Sequence, residues 1–297
     1  MGFILTTTNL TKTYGKKDAA KDINIHVREG EIYGLIGRNG AGKTTVMRVI
    51  SGLSKATSGS YELFGENKFG VGVLIESPGI YPNMSAEENI RLKCIALGCN
   101  NSDYIQSLLK TVGLENTGKK PAGSFSLGMR QRLGIGLALV GDPRMIVLDE
   151  PINGLDPQGI VEVRKTLERL KNEKGITIMI SSHILDELSK LADSYGIIHE
   201  GRLLDEFTTE ELTDRCGRYV TVRTDDNSRA LEVLQAAGFT NSVIDDNKDI
   251  RVDDAIHQTI EMNSILVNAG IGVKELLIKN TSLEDYYLSV TGGKHNG

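Results

Sequence analysis

The stretch GRNGAGKTT, Gly37 to Thr45, constrains the fold of this chain more than any other feature. It satisfies the pattern G-x-x-x-x-G-K-[ST], in which backbone N–H groups converge on phosphate oxygens at the start of a helix. The apolar run EIYGLIG precedes it, and the helical pattern TTVMRVISGL follows it. A strand, a glycine-rich loop and a helix in this order predict a phosphate-binding loop.

The loop residues are expected to surround the phosphates of a nucleotide: Gly37, Arg38, Asn39, Gly40, Ala41, Gly42, Lys43, Thr44 and Thr45. Among them, Lys43 is predicted to reach the β and γ phosphates, and the Thr44 hydroxyl is predicted to bind Mg²⁺. Glycine is expected to recur because side chains there would keep phosphate oxygens away from the backbone.

A second motif, MIVLDEP at Met145 to Pro151, ends an apolar strand in two adjacent carboxylates. Buried charges are costly unless a cation or a proton compensates them. Asp149 is therefore predicted to lie on the Mg²⁺ side of the site, and Glu150 to polarise an attacking water. A strand end that merely faces solvent is the alternative, and the phosphate loop in the same chain favours the catalytic interpretation.

Two further segments carry polar groups at the starts of helices. Ser126, in FSLGMRQR, is a good N-cap, and the helix start it caps is either an ordinary one or a second anion site. One nucleotide cannot easily use two such sites in one domain, so the second would serve a neighbour's phosphate. His183, in ITIMISSHILDE, follows a strand and is either structural or a donor to a γ-phosphate.

The alternation of apolar strands and helical patterns predicts an α/β fold with a mostly parallel core sheet over residues 1–215. From Cys216 the order becomes strand, helix, strand, strand, helix, strand, which is typical of a ferredoxin-like unit. We therefore predict a small α+β accessory domain over residues 216–297.

Composition limits the choice of function. The formal net charge is −5, and the part from Cys216 onward has eight Lys and Arg against twelve Asp and Glu. Neither part has the excess of basic residues typical of nucleic-acid binding. No apolar run reaches the roughly 18 residues of a membrane span, and the N-terminus lacks a signal segment, so a cytoplasmic chain is expected.

The ordered set of phosphate loop, Ser-capped helix, D-E strand end, NGLD and S-S-H resembles the nucleotide-binding subunit of ABC transporters over residues 1 to about 215. The resemblance implies a P-loop ATPase with a parallel-sheet core and a helical signature subdomain. It also implies a head-to-tail pair of identical subunits sandwiching two ATP, Mg²⁺ as the metal, and an integral membrane permease that holds the subunits at the inner face of the cell membrane.

By the same resemblance, Lys43, Glu150 and His183 are the expected catalytic residues, with His183 on the γ-phosphate. Tyr14 is expected to stack on adenine. The family's signature corresponds to FSLGM, so Ser126 and Gly128, together with Asp156 of NGLD, are expected to complete the partner's site. Leu127 and Met129 depart from the usual signature, and Leu127 adds bulk where phosphate approaches the backbone.

Glu76, in VLIESPGIYPNM, is a third departure, because the family normally has Gln where a loop meets both Mg²⁺ and the permease. It is expected to be a metal ligand, with a solvated loop residue as the alternative. Glu76, the SSHILDE segment and the chain length resemble the subgroup that exports bacitracin or lantibiotics. The expected function is an ATPase subunit of such an exporter. A soluble ABC ATPase acting on ribosomes or DNA is the alternative.

Overall fold

The computed structural model describes residues 2–63, 70–99, 101–216, 218–245, 248–253, 255–280 and 282–292. The chain forms two compact units, Met1–Thr209 and Glu210–Gly297. The division falls six residues before the boundary predicted at 215/216, because a helix spans Thr209–Cys216 and the change of pattern used in the prediction comes only after that helix. The assignment of separate functions to the two parts stays a prediction.

The first unit alternates strands and helices in the described residues. Its strands are β1 (Phe3–Tyr14), β2 (Lys17–Ile23), β3 (His26–Arg28), β4 (Ile32–Ile36), β5 (Ser58–Leu63), β6 (Val71–Leu74), β7 (Met145–Asp149), β8 (Thr177–Ser182), β9 (Ser194–His199) and β10 (Arg202–Thr208). Its helices are α1 (Lys43–Ile50), α2 (Ala86–Leu97), α3 (Ser102–Thr111), α4 (Leu127–Leu139), α5 (Pro157–Lys174) and α6 (Leu185–Leu188), with short 3₁₀ turns at Glu115–Thr117 and Ala122–Ser124. Helix α7 (Thr209–Cys216) begins where the units divide.

The main sheet of the first unit has the strand order β10-β9-β4-β8-β7-β6. Strands β9, β4, β8, β7 and β6 pair in parallel, and β10 joins β9 antiparallel. Strands β4, β7 and β8 are buried along their whole length, as expected for parallel strands covered on both faces. Their carboxyl ends lie at one edge of the sheet, which is where open α/β sheets bind ligands.

A second, antiparallel sheet has the order β2-β1-β3, and β5 also pairs with β1. Apolar side chains of β1 and α1, including Leu5, Leu10 and Met47, share one core with strands of the main sheet. Strand β2 lies close to the phosphate loop, since Lys21 N donates to Gly201 O (2.7 Å) and Gly201 N donates to Ala41 O (2.9 Å). The antiparallel sheet therefore carries Tyr14 toward the end of β4.

Helices α2, α3 and α4 form the helical part of the first unit. A capping box of Ser85 and Glu88 starts α2. Helix α4 lies directly against β6, because a Cβ atom added at Gly72 would sit 2.0 Å from the carbonyl oxygen of Ala138. Helix α4, which begins within the FSLGM segment, is thus held against the sheet by a contact that leaves no room for a side chain at Gly72. Within the described residues, no helix is both long enough and apolar enough to cross a bilayer.

The second unit contains β11 (Arg218–Thr224), α8 (Asn227–Ala236), β12 (Ser242–Ile244), β13 (Ile250–Asp253), α9 (Thr259–Asn268), β14 (Val273–Asn280) and α10 (Leu283–Thr291). Its antiparallel sheet has the order β12-β13-β11-β14. Its core joins Val220 and Val222 of the sheet to Leu234 of α8 and Leu266 of α9. This arrangement is consistent with the predicted ferredoxin-like unit.

The contact of Gly72 with α4 leads to a stability prediction. Gly72→Ala is expected to lower the free energy of unfolding of the first unit by about 1–3 kcal/mol, because the obstacle is backbone and cannot rotate away. Urea denaturation followed by circular dichroism measures this change. The matched control is Gly79→Ala, since Gly79 is exposed and has no heavy atom within 4 Å of the added Cβ position. Equal unfolding midpoints for the two variants would contradict the prediction.

Candidate active site

The phosphate loop connects the end of β4 to the first residue of α1. Gly42 occupies the N-cap with φ 111°, and no side chain caps the helix. An added Cβ would lie 2.5 Å from Ala19 O at Gly42 and 2.5 Å from Ile198 O at Gly37. Glycine at these positions is therefore required by the backbone of neighbouring segments, a reason that differs from the one expected from the sequence. The uncapped helix start leaves its N–H groups available to an anion.

Lys43 is folded into the loop and is almost completely buried, with 4% of its side chain exposed. Its Nζ donates to Gly37 O at 2.6 Å. The same atom lies 3.1 Å from Glu150 Oε1, which is an ion-pair distance although the alignment is not that of a hydrogen bond. The charge of a buried ammonium is thereby compensated by a carbonyl and a carboxylate.

Asp149, at the end of β7, has both carboxylate oxygens occupied. Thr44 Oγ1 donates to Asp149 Oδ2 at 2.7 Å, and Ser181 Oγ donates to Asp149 Oδ1 at 2.6 Å. The Ser181 hydroxyl also accepts a hydrogen bond from Glu150 N at 2.9 Å. One serine on β8 therefore fixes both strand-end acids, and Asp149 is tied to the first turn of α1.

Glu150 lies between a lysine and a histidine. Its Oε2 is 2.7 Å from His183 Nδ1, while its Oε1 faces Lys43. Glu150 has φ 49°, an uncommon value for a residue with a side chain. Backbone strain of this kind concentrates at functional sites, and here it turns the carboxylate toward the phosphate loop.

Glu76 has the same left-handed backbone, with φ 66°. It follows β6, the strand next to β7, but its side chain is 63% exposed and is ion-paired with Arg48 of α1. It does not line the cavity beside the phosphate loop. In this structure the carboxylate of Glu76 contacts Arg48, and its contact with a metal stays a prediction.

A cavity of about 730 Å³ lies against the phosphate loop. It is lined by Tyr14, Lys17, Asp18, Ala19, Arg38, Asn39, Gly40, Ala41, Gly42, Lys43, Thr44, Thr45, Glu150, His199, Glu200 and Gly201. The half-exposed ring of Tyr14 is thus on the wall of the same cavity as the loop, with Lys12 Nζ 5.0 Å from the ring centroid.

Sequence reasoning missed two parts of this wall, the start of β2 at 17–19 and the segment 199–201 at the end of β9. The second could have been found, because it follows the parallel strand β9, whose carboxyl end must lie at the same edge as that of β4. At the start of β2, hydrogen bonding from Thr13 and the nearby positive charge of Lys21 lower the pKa of the Asp18 carboxyl. The wall therefore includes a carboxylate that is ionised at neutral pH.

Ser126, Gly128 and Asp156 form a separate cluster. Ser126 Oγ accepts from Met129 N at 3.2 Å, and Asp156 Oδ1 accepts from Gly159 N at 3.0 Å. A Cβ added at Gly128 would lie 3.4 Å from Gly159 Cα, so the starts of α4 and α5 touch. None of the three predicted residues lines the cavity described above. A single chain does not bring them to the phosphate loop.

Leu127 points its side chain toward the segment before α5. Its Cδ2 lies 3.5 Å from where a Cβ of Gly154 would be, and the side chain is partly exposed. The bulky side chain of Leu127 therefore lies beside NGLD, next to the start of α4.

Fold and site together define a nucleotide-binding P-loop ATPase. A family model described as ABC transporter matches residues 20–153. The bacitracin transport ATP-binding protein BcrA of Bacillus licheniformis is 43% identical, over 99% of this chain and 99% of that protein. The lantibiotic transport ATP-binding protein SrtF of Streptococcus pyogenes is 46% identical, over 67% of this chain and 88% of that protein.

The crystal structure of the ADP conformation of an ATP-binding cassette from an ABC transporter has a TM-score of 0.65 and 27% identity, and the match covers 71% of this chain and 93% of that one. The chain belongs to the ATP-binding subunits of ABC transporters, and it is an ATPase of that family. The predicted fold class, family and subgroup resemblance are confirmed. The roles of individual site residues stay predictions.

The bridge made by Ser181 leads to a prediction about activity. Ser181→Ala removes a donor from Asp149 and an acceptor from Glu150 N, so kcat for ATP hydrolysis is expected to fall by about tenfold or more. ATP binding is expected to stay within about threefold, because the phosphate loop is unchanged. Steady-state phosphate release and equilibrium nucleotide titration measure the two quantities.

The adjacent Ser182 provides the control. Its hydroxyl accepts from Ile184 N at 2.9 Å and has no hydrogen bond to either acid. Ser182→Ala is expected to leave kcat within about twofold. The same loss of activity in both variants would mean that Ser181 acts only through packing.

Proposed function

We propose that this chain hydrolyses ATP with Mg²⁺ as one of two cassettes that drive export of a peptide antibiotic of the bacitracin or lantibiotic class through a separate membrane permease. The meeting of Lys43, Glu150 and His183 at the phosphate loop carries the ATPase part of the proposal. The class of exported compound rests on the similarity to a bacitracin transport protein along the whole chain.

In the proposed reaction, Lys43 and the N–H groups of the loop offset charge that develops on the transferred phosphoryl group. Glu150 orients the attacking water, and its 2.7 Å contact with His183 Nδ1 holds the carboxylate in one direction. The other ring nitrogen of His183, Nε2, contacts the γ-phosphate. Tyr14, which lines the same cavity, stacks on adenine.

Mg²⁺ fits the donor set of Thr44 and Asp149, because a hydroxyl and a carboxylate oxygen 2.7 Å apart are ligands of the type this ion prefers. Such sites commonly use one or two protein oxygens together with substrate phosphates and water, and in the described part of the chain no group of three His, Cys, Asp or Glu is arranged to hold a metal. When bound, the ion neutralises phosphate charge. Glu76 is a further ligand only after its ion pair with Arg48 opens.

A second copy completes each site in this proposal. Ser126 and Gly128 at the start of α4, with Asp156 beside them, lie outside the cavity of their own chain, and a helix start is suited to bind an anion. A head-to-tail pair of cassettes therefore binds two ATP between the loop of one copy and the FSLGM segment of the other.

A groove of about 460 Å³ supports the permease as partner. It is lined by Val73, Leu74, Ile75, Ser77, Pro78 and Gly79 on both sides of Glu76, by Leu53 and Tyr81, and by Asn89, Leu92, Lys93, Ala96, Gly134 and Leu137 of α2 and α4. The side chains of Leu53 and Tyr81 are exposed in a mostly apolar lining that also contains Ser77, Asn89 and Lys93, and such a mixture is typical of a protein-binding site. Docking there would hold the cassette at the inner face of the cell membrane and connect the permease to the Glu76 loop.

The soluble alternative, an ABC ATPase of ribosomes or DNA, is not favoured. BcrA and SrtF are named transport proteins, and the net charge of −5 gives no attraction to nucleic acid.

The experiment that tests the ATPase mechanism is Glu150→Gln. The amide keeps the size of the side chain but loses the charge that orients water, so kcat is expected to fall at least about 100-fold while ATP binding stays within about threefold. An ATP-bound dimer is expected to accumulate. Phosphate release, nucleotide titration and light scattering measure the three effects.

Glu200→Gln is the matched control, since Glu200 lines the same cavity but touches neither Lys43 nor His183 in the structure. It is expected to retain kcat within about threefold. Lys43→Ala is expected to weaken ATP binding by at least about tenfold. Unchanged turnover of Glu150→Gln would remove Glu150 from its proposed role, and tight ATP binding by Lys43→Ala would argue against the phosphate-loop assignment.

The groove leads to a separate prediction about coupling. Tyr81→Glu places a charge on the rim of the groove, so it is expected to abolish association with a co-expressed permease of the proposed class and resistance to bacitracin. ATP hydrolysis by the isolated protein is expected to stay within about twofold, since Tyr81 lies outside the ATP cavity. Co-purification from membranes and the minimal inhibitory concentration measure the losses.

Leu204→Glu is its control, because Leu204 is a similarly exposed apolar residue on β10 and does not line the groove. It is expected to bind the permease as wild type does. Loss of association in both variants, or in neither, would contradict the proposed docking surface.

A further inference from the structure

The outer edge of β14 pairs with no other strand among the described residues of the second unit. β14 is eight residues long and ends the strand order β12-β13-β11-β14. The opposite edge is formed by β12, which has three residues. A short edge strand limits unwanted pairing, whereas a long one is a template for another strand.

The side chains of this edge strand are apolar in the middle. Leu277 is 44% exposed and Ile278 is 50% exposed, and both follow the partly buried Leu276. Val273 and Leu276 pack against the core of the second unit. The strand is thus anchored on its inner side, and it presents an apolar centre with Lys274 and Lys279 near its ends.

A bulge defines the regular part of β14. Arg223 of β11 is opposite Glu275, but Thr224 is opposite Val273, so Lys274 is an extra residue in the ladder. The regular stretch runs from Glu275 onward. Since β-bulges bend the strand that contains them, pairing along the outer edge is limited to this stretch.

Symmetry then selects one register for pairing with a second copy. In an antiparallel pair, residues directly opposite each other point to the same face of the sheet, and side chains alternate between the two faces along each strand. For two identical strands related by a twofold axis, this condition holds only if the axis passes through a residue position, so that this residue is opposite its own copy. An axis at Leu277 is centred on the stretch from Glu275 to Lys279 and avoids the bulge. An axis at Leu276 would extend across the bulge to Val273.

The charges agree with the axis at Leu277. In that register Glu275 of each copy is opposite Lys279 of the other, and Leu276 is opposite Ile278. An axis at Leu276 would instead put Glu275 opposite Leu277, and an axis at Ile278, which also avoids the bulge, would put Lys279 opposite Leu277. Opposite charges and apolar pairs directly across a ladder stabilise it, and like charges destabilise it. Lys274 and Lys279 would discourage pairing with an arbitrary strand, but they are compatible with pairing to β14 of a second copy.

We propose that β14 pairs antiparallel with β14 of a second copy of this chain, with Leu277 on the twofold axis, to form a continuous eight-stranded sheet. This pairing needs no nucleotide. It keeps two copies together when the cassettes are apart, which raises the effective concentration of each cassette for the other. The inference goes beyond the ATPase mechanism and does not depend on the roles given to the site residues.

The first test is a charge exchange measured on the nucleotide-free full-length protein by analytical ultracentrifugation. Wild type is expected to dimerise. Lys279→Glu and Glu275→Lys each create two like-charge pairs per dimer, so each is expected to raise the dimer Kd at least about tenfold. The double exchange is expected to return Kd to within about threefold of wild type. Glu275→Lys also removes the ion pair of Glu275 with Arg223 (3.3 Å), but Arg223 keeps its bidentate ion pair with Asp249.

The outcome of this test is decisive in either direction. Rescue by the double exchange cannot arise from misfolding, and circular dichroism checks that the single variants remain folded. A monomeric wild type, single variants that dimerise normally, or a double exchange that fails to restore the dimer would overturn the proposal. The experiment is repeated with Lys43→Ala, and an unchanged dimer there separates this interface from any failure of the ATP site.

The second test places a cysteine on the axis. In Leu277→Cys the two Cα atoms are expected to be about 4.5–5.5 Å apart, within the range of a disulfide. Mild oxidation with diamide should therefore give a covalent dimer without ATP. Lys279→Cys is the matched control on the same face of the strand, because its two copies would be about 14 Å apart. Equal cross-linking of both variants, or of neither, would exclude this register.

Discussion

The parallel pairing of β4, β8 and β7 is the constraint on which the site depends. It brings the ends of buried strands to one edge, and the register puts Asp149 beside Ser181. The Ser181 hydroxyl then fixes the Asp149 carboxylate and the backbone of Glu150. Both acids are thus positioned by a sheet, and sites built on strands are held more closely than sites on loops.

Sequence reasoning succeeded where the signal is local. The order of strand, glycine loop and helix is contained in one stretch, and the structure has β4 and α1 on either side of that loop. Apolar runs such as MIVLD become fully buried parallel strands. The reason for Gly37 and Gly42 was different from the one expected, because it lies in the backbones of Ala19 and Ile198. These contacts join segments far apart in the sequence, so no local pattern reports them.

The lack of a local pattern also explains why the sequence did not predict some residues of the site. Ser181 is an ordinary residue in an apolar run, and only the register of β7 and β8 gives it two acids to hold. The segments 17–19 of β2 and 199–201 after β9 line the cavity because backbone hydrogen bonds join β2 to Gly201 and Gly201 to Ala41 of the phosphate loop. The ion pair of Glu76 with Arg48, one turn into α1, is likewise a contact between distant segments that no local pattern reports, and the role of Glu76 as a metal ligand stays a prediction.

The pairing of Lys43 with Glu150 has a consequence for which ligands the site distinguishes. A phosphate chain bound as proposed would compete with Glu150 for one ammonium, which has three N–H donors and already donates to Gly37 O and, at 3.4 Å, to Arg38 O. A ligand long enough to occupy Lys43 releases the carboxylate, whereas a nucleoside or a monophosphate that stops short of Lys43 leaves the carboxylate neutralised. If Lys43 and Glu150 have the proposed roles, the site would measure the length of the phosphate chain by charge competition, and Glu150 would be released only when that length is sufficient.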